Sequence, residues 1–409
     1  MDPKSEDAEV HFRWWLRARD AYDADQLGVA MASIDRFRAR APDLAAGVLL
    51  HSMILTSLQR FDHAWPLIQQ MLRWTKKPAV AHAIARFFDA RNDVDTAAEW
   101  YRTRSTLEPA STVGFILLGA FQARRGRLIE AEATHRHATT LEGDPDEAFL
   151  NLAMVLRARG QFEDAIEAAG RAVALDPASA TNAAVLADVN QALSLTRERL
   201  NPADRDRWWS RAVTGWGDRS RIGEAMVSIE RHRQCDPGSV PGLLLHAEIL
   251  TDLRRFDEAW KLLQQVQATL SWREHAVIDA VTRHLRLCGD LATAEEWRSR
   301  QCRDDPDSTR GFIGLAAVHA EQGRLSEAEA SCRHATTLEG DRGEAYFQLG
   351  MMLRAQGNFG DASDALATAI TLDPTDLRAA GVLADVKRAA MVVDAASPDD
   401  VPGSAGQSA

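Results

Sequence analysis

The sequence lacks the features of several large protein classes. No run of apolar residues approaches 18, so no membrane-spanning helix is predicted. The first ten residues, MDPKSEDAEV, contain no apolar segment of the kind that a signal peptide needs. The four cysteines form no C-x-x-C pair, which argues against a disulfide framework or a redox motif: Cys235, Cys288, Cys302 and Cys332. These absences predict a reduced, cytoplasmic protein.

Motifs of catalysis and phosphate binding are also missing. The chain has no glycine-rich phosphate loop, no G-x-S-x-G turn and no H-E-x-x-H pair. Its net charge of −11 lacks the general positive field that nucleic acids attract. Twelve histidines occur, but His135 and His137 are two residues apart and so lie on different faces of a helix. We therefore expect no enzyme activity, no cofactor, no metal site and no nucleic-acid partner.

What the sequence does contain is a repeated helical pattern, clearest over Asp146–Ser179. Apolar residues recur there at helical spacing on both sides of Gly160, and Pro177 ends the second half. Small residues such as Ala153 and Ala165 allow two helix axes to come close. The stretch predicts a helical hairpin that cannot bury its apolar face alone.

Ten copies of this unit of about 34 residues occur in two series, which residues 180–205 separate. The units, here called repeats 1 to 10, begin at His11, Ala45, Pro78, Thr112, Asp146, Asp206, Val240, His275, Thr309 and Gly343. Position 20 is alanine in every repeat: Ala30, Ala64, Ala97, Ala131, Ala165, Ala225, Ala259, Ala294, Ala328 and Ala362. Position 17 is always apolar: Leu27, Phe61, Val94, Leu128, Phe162, Ile222, Phe256, Leu291, Leu325 and Phe359.

A period near 34 with these residue types resembles the tetratricopeptide repeat (TPR) family, and the resemblance covers about residues 11–376. It implies an all-α solenoid of stacked hairpins in a right-handed superhelix. The ten repeats also form two series. Repeats 4 and 9 share 23 of 34 residues, and the sequence VLADV occurs at 185–189 and again at 382–386. A cassette of five repeats therefore occurs twice.

This duplication predicts the domain organisation. We expect a disordered lead over 1–10, five repeats over 11–179, a capping or linker helix over 180–203, five repeats over 204–376, a capping helix over 377–393 and a disordered tail over 394–409. An odd helix between two series of pairs should disturb the stacking, so two lobes with a bend near 200–206 are predicted. A single unbroken superhelix is the alternative.

The resemblance also implies a binding surface. In TPR proteins the stripe at positions 2, 5, 9 and 12 of each first helix lines a concave groove where partner peptides lie. Carried over to this chain, the stripe contains Trp15, Arg19, Leu49, Met53, His82, Arg86, Ile116, Leu150, Met154, Arg157, Arg283, Arg286, Ile313, Phe347, Met351 and Arg354. Its aliphatic, methionine and arginine side chains suit a protein or peptide partner with acidic and apolar groups. The alternative is that these side chains pack on neighbouring helices.

The predicted function is a non-catalytic scaffold or adaptor that binds peptide or helical segments in its grooves. Some TPR proteins hold a carboxylate tail with lysines on this stripe, and here those lysines are missing, so a chaperone-tail ligand is not expected. One alternative is a recognition subunit of a modifying enzyme complex, such as a transferase. Another is a self-assembling scaffold or homo-oligomer in which the Trp14/Trp15 end or the terminal helix docks on a second copy.

Overall fold

The computed structural model describes residues 3–271 and 274–394, with side chains from residue 12 onward. All of its regular elements in these ranges are helices, as predicted. The first series contains α1 (Pro3–Asp23), α2 (Leu27–Arg40), α3 (Ala45–Ser57), α4 (Phe61–Met71), α5 (Pro78–Ala90), α6 (Val94–Leu107), α7 (Thr112–Arg124), α8 (Leu128–Ala138), α9 (Pro145–Ala158), α10 (Phe162–Leu175) and α11 (Ala180–Arg197). The second contains α12 (Arg205–Gly217), α13 (Ile222–Cys235), α14 (Val240–Asp252), α15 (Phe256–Thr269), α16 (His275–Cys288), α17 (Leu291–Asp304), α18 (Thr309–Glu321), α19 (Leu325–Thr337), α20 (Arg342–Gln356), α21 (Phe359–Leu372) and α22 (Leu377–Asp394).

The hairpins follow the predicted register. In all ten repeats the apolar residue at position 17 is the first residue of the second helix. The turn before it needs a left-handed residue at position 15, and nine repeats place one there: Asp25, Gln59, Asn92, Gly126, Gly160, Arg254, Gly289, Gly323 and Gly357. Repeat 6 replaces this turn with a short 3₁₀ segment, Arg219–Arg221. The turn geometry explains why glycine is frequent at this position.

The alanines at position 20 lie where the two helices of each hairpin meet. All ten are 0% exposed. In repeat 5, Ala165 packs in one cluster with Leu152, Ala153 and Val189. A larger side chain at position 20 would overlap the facing helix, so the alanine sets how closely the two helices approach. The register predicted from these alanines is confirmed.

The N-terminal helix is longer than the sequence predicts. Helix α1 begins at Pro3, so most of the expected disordered lead over 1–10 is helical. Pro3 occupies the first helical position, where its fixed φ and missing N–H are tolerated. The predicted tail over 394–409 lies outside the described residues, except for Asp394, which is the last residue of α22.

The contacts divide the chain into two compact units, and their boundaries differ from those predicted. Unit 1 contains residues 1–93 and 298–409, and unit 2 contains residues 94–297. The predicted bend near 200–206 thus lies inside unit 2, because α11 packs against α13 of the second series as well as against α10. In unit 1 the equivalent helix, α22, packs against α2. Separate folding of residues 1–200 and 204–393 stays a prediction.

A core substitution tests the packing of the repeat alanines. Ala165→Leu should overpack the α9–α10 pair and lower the free energy of unfolding by about 1–3 kcal/mol. Ala174→Leu, at an exposed position of the same helix, is the matched control and should change it by less than about 0.5 kcal/mol. Urea denaturation of the two variants and the parent measures both values. An Ala165→Leu variant as stable as the control would show that position 20 has free space.

Candidate functional site

Two arginines of the predicted groove stripe are buried in ion pairs. Arg157 on α9 is 8% exposed, and its Nη1 donates to Asp188 Oδ2 on α11 at 2.9 Å. Arg354 on α20 is also 8% exposed and donates to Asp385 Oδ2 on α22 at 3.4 Å. These two side chains are therefore buried and not exposed as expected, while their contact with a partner stays a prediction. The unpaired helix that follows each series covers the last arginine of its stripe.

The aspartates in these pairs also bind the start of another helix. Asp188 accepts hydrogen bonds from the backbone N–H groups of Gly223 and Glu224, both at 2.9 Å. Those groups are at the N-terminus of α13, where N–H donors have no partner within the helix and where a negative charge is stabilised. Asp188 is thereby held by three donors. We call this contact the α11–α13 junction.

The same contact occurs in unit 1. Asp385 accepts hydrogen bonds from the N–H groups of Gly28 at 3.0 Å and Val29 at 3.2 Å, at the N-terminus of α2. We call this contact the α2–α22 junction. Sequence reasoning found the repeated VLADV segment that contains both aspartates but did not assign them a role. A single acidic residue in an otherwise apolar repeated segment was the available signal.

The other predicted stripe residues differ in exposure. Ile116 and Phe347 are 5% and 7% exposed, so they pack inside the repeats, which agrees with the alternative of packing on neighbouring helices, and their contact with a partner stays a prediction. Met154 is 41% exposed and Arg19 is also exposed. Ten further members are half-buried: Trp15, Leu49, Met53, His82, Arg86, Leu150, Arg283, Arg286, Ile313 and Met351. Part of the stripe therefore faces outward, while part of it holds the repeats together.

Several half-buried stripe residues contact the stripe of another repeat. In unit 1, Arg86 Nη1 donates to the Tyr22 hydroxyl at 2.6 Å, and that hydroxyl is 3.3 Å from Ser57 Oγ. In unit 2, Arg283 pairs with Asp252. Polar groups from neighbouring repeats thus meet along the stripe, which agrees with the alternative that some of these side chains pack sideways.

Unit 2 contains a cavity of about 380 Å³ that the stripe residue Met154 lines. Its wall is mostly apolar. It is formed by residues of α7, α8 and α9, by residues at the start of α13 and just before it, and by the turn between α14 and α15. Four arginines and one acidic residue also line it: Arg124, Arg157, Arg219, Arg254 and Asp252. We call this cavity the arginine pocket. The sequence did not predict this pocket. Arg219 and residues 252–254 lie in turns that are far in sequence from the stripe residues of repeats 4 and 5.

The charges of the arginine pocket do not cancel. Arg157 is neutralised by Asp188, and Asp252 already binds Arg283 and accepts a hydrogen bond from Trp216 Nε1 at 2.9 Å. Within the described ranges, neither the Arg219 nor the Arg254 side chain has a hydrogen bond or an ion pair. Burial lowers the pKa of Arg254, and the neighbouring positive charges of Arg124, Arg283 and Arg219 lower it further, against the opposing charge of Asp252. The pocket is locally positive in a chain of net charge −11.

Arg254 is held in an unfavourable backbone conformation. Its φ is 63°, in the left-handed region that costs a residue with a Cβ roughly 1–2 kcal/mol. Five other repeats have glycine at this turn position. The turn of repeat 4 packs against it: a Cβ on Gly126 would lie 2.9 Å from the Arg254 carbonyl oxygen. Asp25, Gln59 and Asn92 are the other non-glycine residues at this turn position, each with a positive φ.

Buried titratable groups lie beside the stripe. His135 lines the arginine pocket, is 1% exposed, and burial lowers its pKa to about 4, so it is neutral near pH 7. On α14, burial raises the pKa of Glu248 to about 7, with Arg283 opposing the rise and Asp252 and Asp279 adding to it. These groups respond to pH in the acidic and neutral ranges respectively.

The described residues show no other centre of reactive groups. Burial raises the pKa of the Cys302 thiol to about 11 and that of Cys332 to about 12, so both are poor nucleophiles. In the described ranges no three His, Cys, Asp or Glu side chains are grouped as metal ligands would be. None of the described helices is long and apolar enough to cross a bilayer.

Comparison with known families agrees with the hairpin register. The tetratricopeptide repeat family matches at residues 146–179 and 343–376, which are repeats 5 and 10 as defined by the sequence, and at residues 309–334 within repeat 9. The chain is a tetratricopeptide repeat protein. No curated protein is significantly similar to this TPR chain in sequence.

Solved structures with a similar arrangement of helices include other TPR proteins. One from Parabacteroides merdae is 13% identical, with 74% of this chain and 96% of that chain covered and a TM-score of 0.35. A thermophilic TPR protein from Thermus thermophilus is 20% identical, with coverage of 45% and 98% and a TM-score of 0.39. Yeast Tom70 is 11% identical, with coverage of 93% and 89% and a TM-score of 0.39.

The burial of Arg157 leads to a stability prediction. Arg157→Glu would place two carboxylates together in a buried site, so it should lower the free energy of unfolding by about 3–5 kcal/mol. Arg171→Glu makes the same charge change at an exposed position of α10 and should cost less than about 0.5 kcal/mol. Denaturant titration gives both values. Equal stability of the two variants would mean that Arg157 is not buried against Asp188.

The burial of His135 leads to a pH prediction. The unfolded chain protonates this histidine near pH 6.5, whereas the folded chain resists protonation down to about pH 4. The part of the free energy of unfolding that depends on neutral His135 is therefore fully present above pH 6.5 and is lost as the pH falls toward 4. His135→Cys, which introduces the residue found at the equivalent Cys332, should reduce the stability lost between pH 7 and pH 5 by up to about 2 kcal/mol. An unchanged pH dependence of the melting temperature would contradict this assignment.

Proposed function

We propose that this TPR protein is a non-catalytic, cytoplasmic interaction scaffold whose arginine pocket binds an acidic segment of a protein partner. The observation that carries the proposal is the presence of two arginines, Arg219 and Arg254, whose side chains form no ion pair or hydrogen bond among the described residues, in a mostly apolar cavity. Asp252 is the one acidic residue among the described residues that line the cavity, and it already binds Arg283. The cavity volume of about 380 Å³ suits one or two side chains and not a folded domain. The ligand class that fits is a peptide with a carboxylate beside an apolar side chain.

The chemistry of the pocket supports this ligand class. A guanidinium group offers paired donors that match a carboxylate, and such charged hydrogen bonds are stronger than neutral ones. Met154 and Leu253 supply apolar surface next to those donors, and methionine adapts its shape to different partners. An acidic group would also relieve the repulsion among Arg124, Arg219 and Arg254. The partner therefore gains affinity from both parts of the pocket.

One other function is compatible with a TPR scaffold. The chain would serve as the recognition subunit of a modifying complex if its acidic partner were the substrate of a separate enzyme. The half-buried stripe of unit 1, around Arg86 and Tyr22, would then hold a second segment, and two sites on one chain would increase avidity. The arginine pocket is the feature that both functions share.

Selection of peptides on the immobilised native chain tests the ligand class. Selected peptides should be enriched in aspartate or glutamate beside an apolar residue. One selected peptide, made with a fluorescent label, then serves as the probe in polarisation titrations. Arg254→Gly combined with Arg219→Glu should weaken its binding at least tenfold, because charged hydrogen bonds contribute about 1.5–3 kcal/mol each.

The left-handed backbone of Arg254 supplies an internal control. Arg254→Gly relieves the backbone cost, so this variant should be as stable as the parent or up to about 1 kcal/mol more stable, and should still bind more weakly. Gln59→Gly makes the corresponding change at the equivalent turn of repeat 2, where φ is 58°, and should leave binding unaltered. Selected peptides without acidic residues, or equal affinity of the double variant and the parent, would rule out the arginine pocket as the site.

A further inference from the structure

The two junctions use equivalent residues, but the hydrogen bonds at the one in unit 1 are longer. At the α11–α13 junction, all three donors lie 2.9 Å from an Asp188 oxygen. At the α2–α22 junction, the corresponding distances to Asp385 are 3.4 Å from Arg354, 3.0 Å from Gly28 and 3.2 Å from Val29. Asp385 thus has the same kinds of donor as Asp188, but each of them lies farther from the carboxylate.

Among the described residues, a second set of contacts occurs at the junction in unit 2 and has no equivalent around Arg36 in unit 1. Arg231 on α13 donates through Nη2 to the carbonyl oxygen of Leu195 at 3.2 Å and to that of Thr196, at the end of α11. The residue equivalent to Arg231 in repeat 1 is Arg36 on α2. Its Nε and Nη2 are buried and have no hydrogen-bond partner among the described residues, and its guanidinium lies 4.6 Å from the Trp14 ring. Helix α22 therefore lacks the clamp that α11 has.

Chain connectivity separates the two junctions further. Helices α11 and α13 are linked by α12 and the short segment before it, so they stay close even when their contacts break. Gly28 and Asp385 are 357 residues apart in sequence, and only non-covalent contacts hold α22 against α2. The junction with the longer hydrogen bonds is thus also the one whose two helices are not kept close by a short connection.

We propose that the α2–α22 junction is exchangeable and that α22 of one chain docks on α2 of a second copy of the chain. The docking surface is the N-terminal turn of α2 with Gly28 and Val29, and the docked group is Asp385 with the apolar face of α22, which contains Ala389 and Val392. The product is a dimer or a head-to-tail assembly of intact chains.

A second copy fits this surface better than an unrelated partner does. Exchange rebuilds every hydrogen bond of Asp385 and every apolar contact of α22, so the closed chain and the exchanged assembly have the same contacts at the junction. Opening does not need one flexible hinge, because the curvature of a solenoid is the sum of small rotations between neighbouring repeats. The balance between the two forms depends on protein concentration, since closure within one chain competes with association.

A cross-link between variants that each carry one introduced cysteine tests the exchange. A Cβ on Gly28 would lie 3.2 Å from the Ala389 Cβ, close to the separation found in disulfides. Gly28→Cys and Ala389→Cys are made in separate chains, in a background with Cys235→Ser and Cys288→Ser. The two purified monomers are mixed at high concentration, warmed to just below the onset of unfolding, diluted and oxidised. A disulfide joining residue 28 of one chain to residue 389 of the other is expected, in a yield that rises with protein concentration.

Two controls accompany this experiment. Gly223→Cys mixed with Ala192→Cys places the same pair at the α11–α13 junction, and no interchain disulfide is expected because that junction is connected through α12. One chain with both Gly28→Cys and Ala389→Cys should oxidise internally when dilute, which shows that the two positions meet. Internal oxidation of that chain, together with no cross-link between the mixed single variants at any concentration, would overturn the proposal.

A second measurement uses native residues at the junction, in case Gly28→Cys prevents folding. Two copies of the parent chain with different affinity tags are warmed together at high concentration and purified on one tag. The second tag should copurify, and Asp385→Ala in both copies should abolish the copurification, because α22 then has no acceptor for the N–H groups of α2. Copurification that Asp385→Ala does not change would assign the association to another surface, and an absence of copurification in the parent would exclude exchange.

Discussion

The structure depends on a buried carboxylate in the helix that follows each series of repeats. This carboxylate binds the N-terminus of another helix. A helical hairpin buries its apolar face only against a neighbour, so each series needs an element at its end. Helices α11 and α22 supply that element, and an aspartate on each binds both the last stripe arginine and the first N–H groups of another helix. A buried charge without hydrogen-bond partners is costly, so the carboxylate is stable in this position only when all of its donors are in place. The unpaired helix is therefore a connector as well as a cap.

This use of Asp188 and Asp385 limits which stripe residues remain available to a partner. The arginine with the best position for recognition in repeat 5 is already neutralised, and Ile116 is packed inside unit 2. The available positive charge comes instead from turns: Arg219 and Arg254 reach the arginine pocket from the ends of helices. Turn residues change with less effect on the core than helix residues do, so in the proposed function different parts of the repeat carry recognition and packing.

The equivalent residues of the two series do not have equivalent surroundings. Position 24 is His135 in repeat 4 and Cys332 in repeat 9, and both side chains are buried, yet only the histidine makes stability depend on pH between 4 and 6.5. Arg231 clamps the end of α11, while Arg36 turns to Trp14 and leaves α22 unclamped. Small differences of this kind give two similar sets of repeats different contacts at their junctions.

The sequence alone determined the repeat, the register of all ten hairpins and the burial of every position-20 alanine, because the period of 34 and the helical spacing are local properties of the chain. It also indicated that α11 and α22 are single helices. Only the tertiary structure decided that Arg157 and Arg354 are buried, that the compact units divide near 93 and 297, and that Arg219, Arg254 and Met154 meet in one pocket. These features depend on contacts between residues that are tens to hundreds of positions apart in sequence. A repeated pattern predicts how a helix packs on its neighbour, but it does not predict which carboxylate pairs with a given arginine.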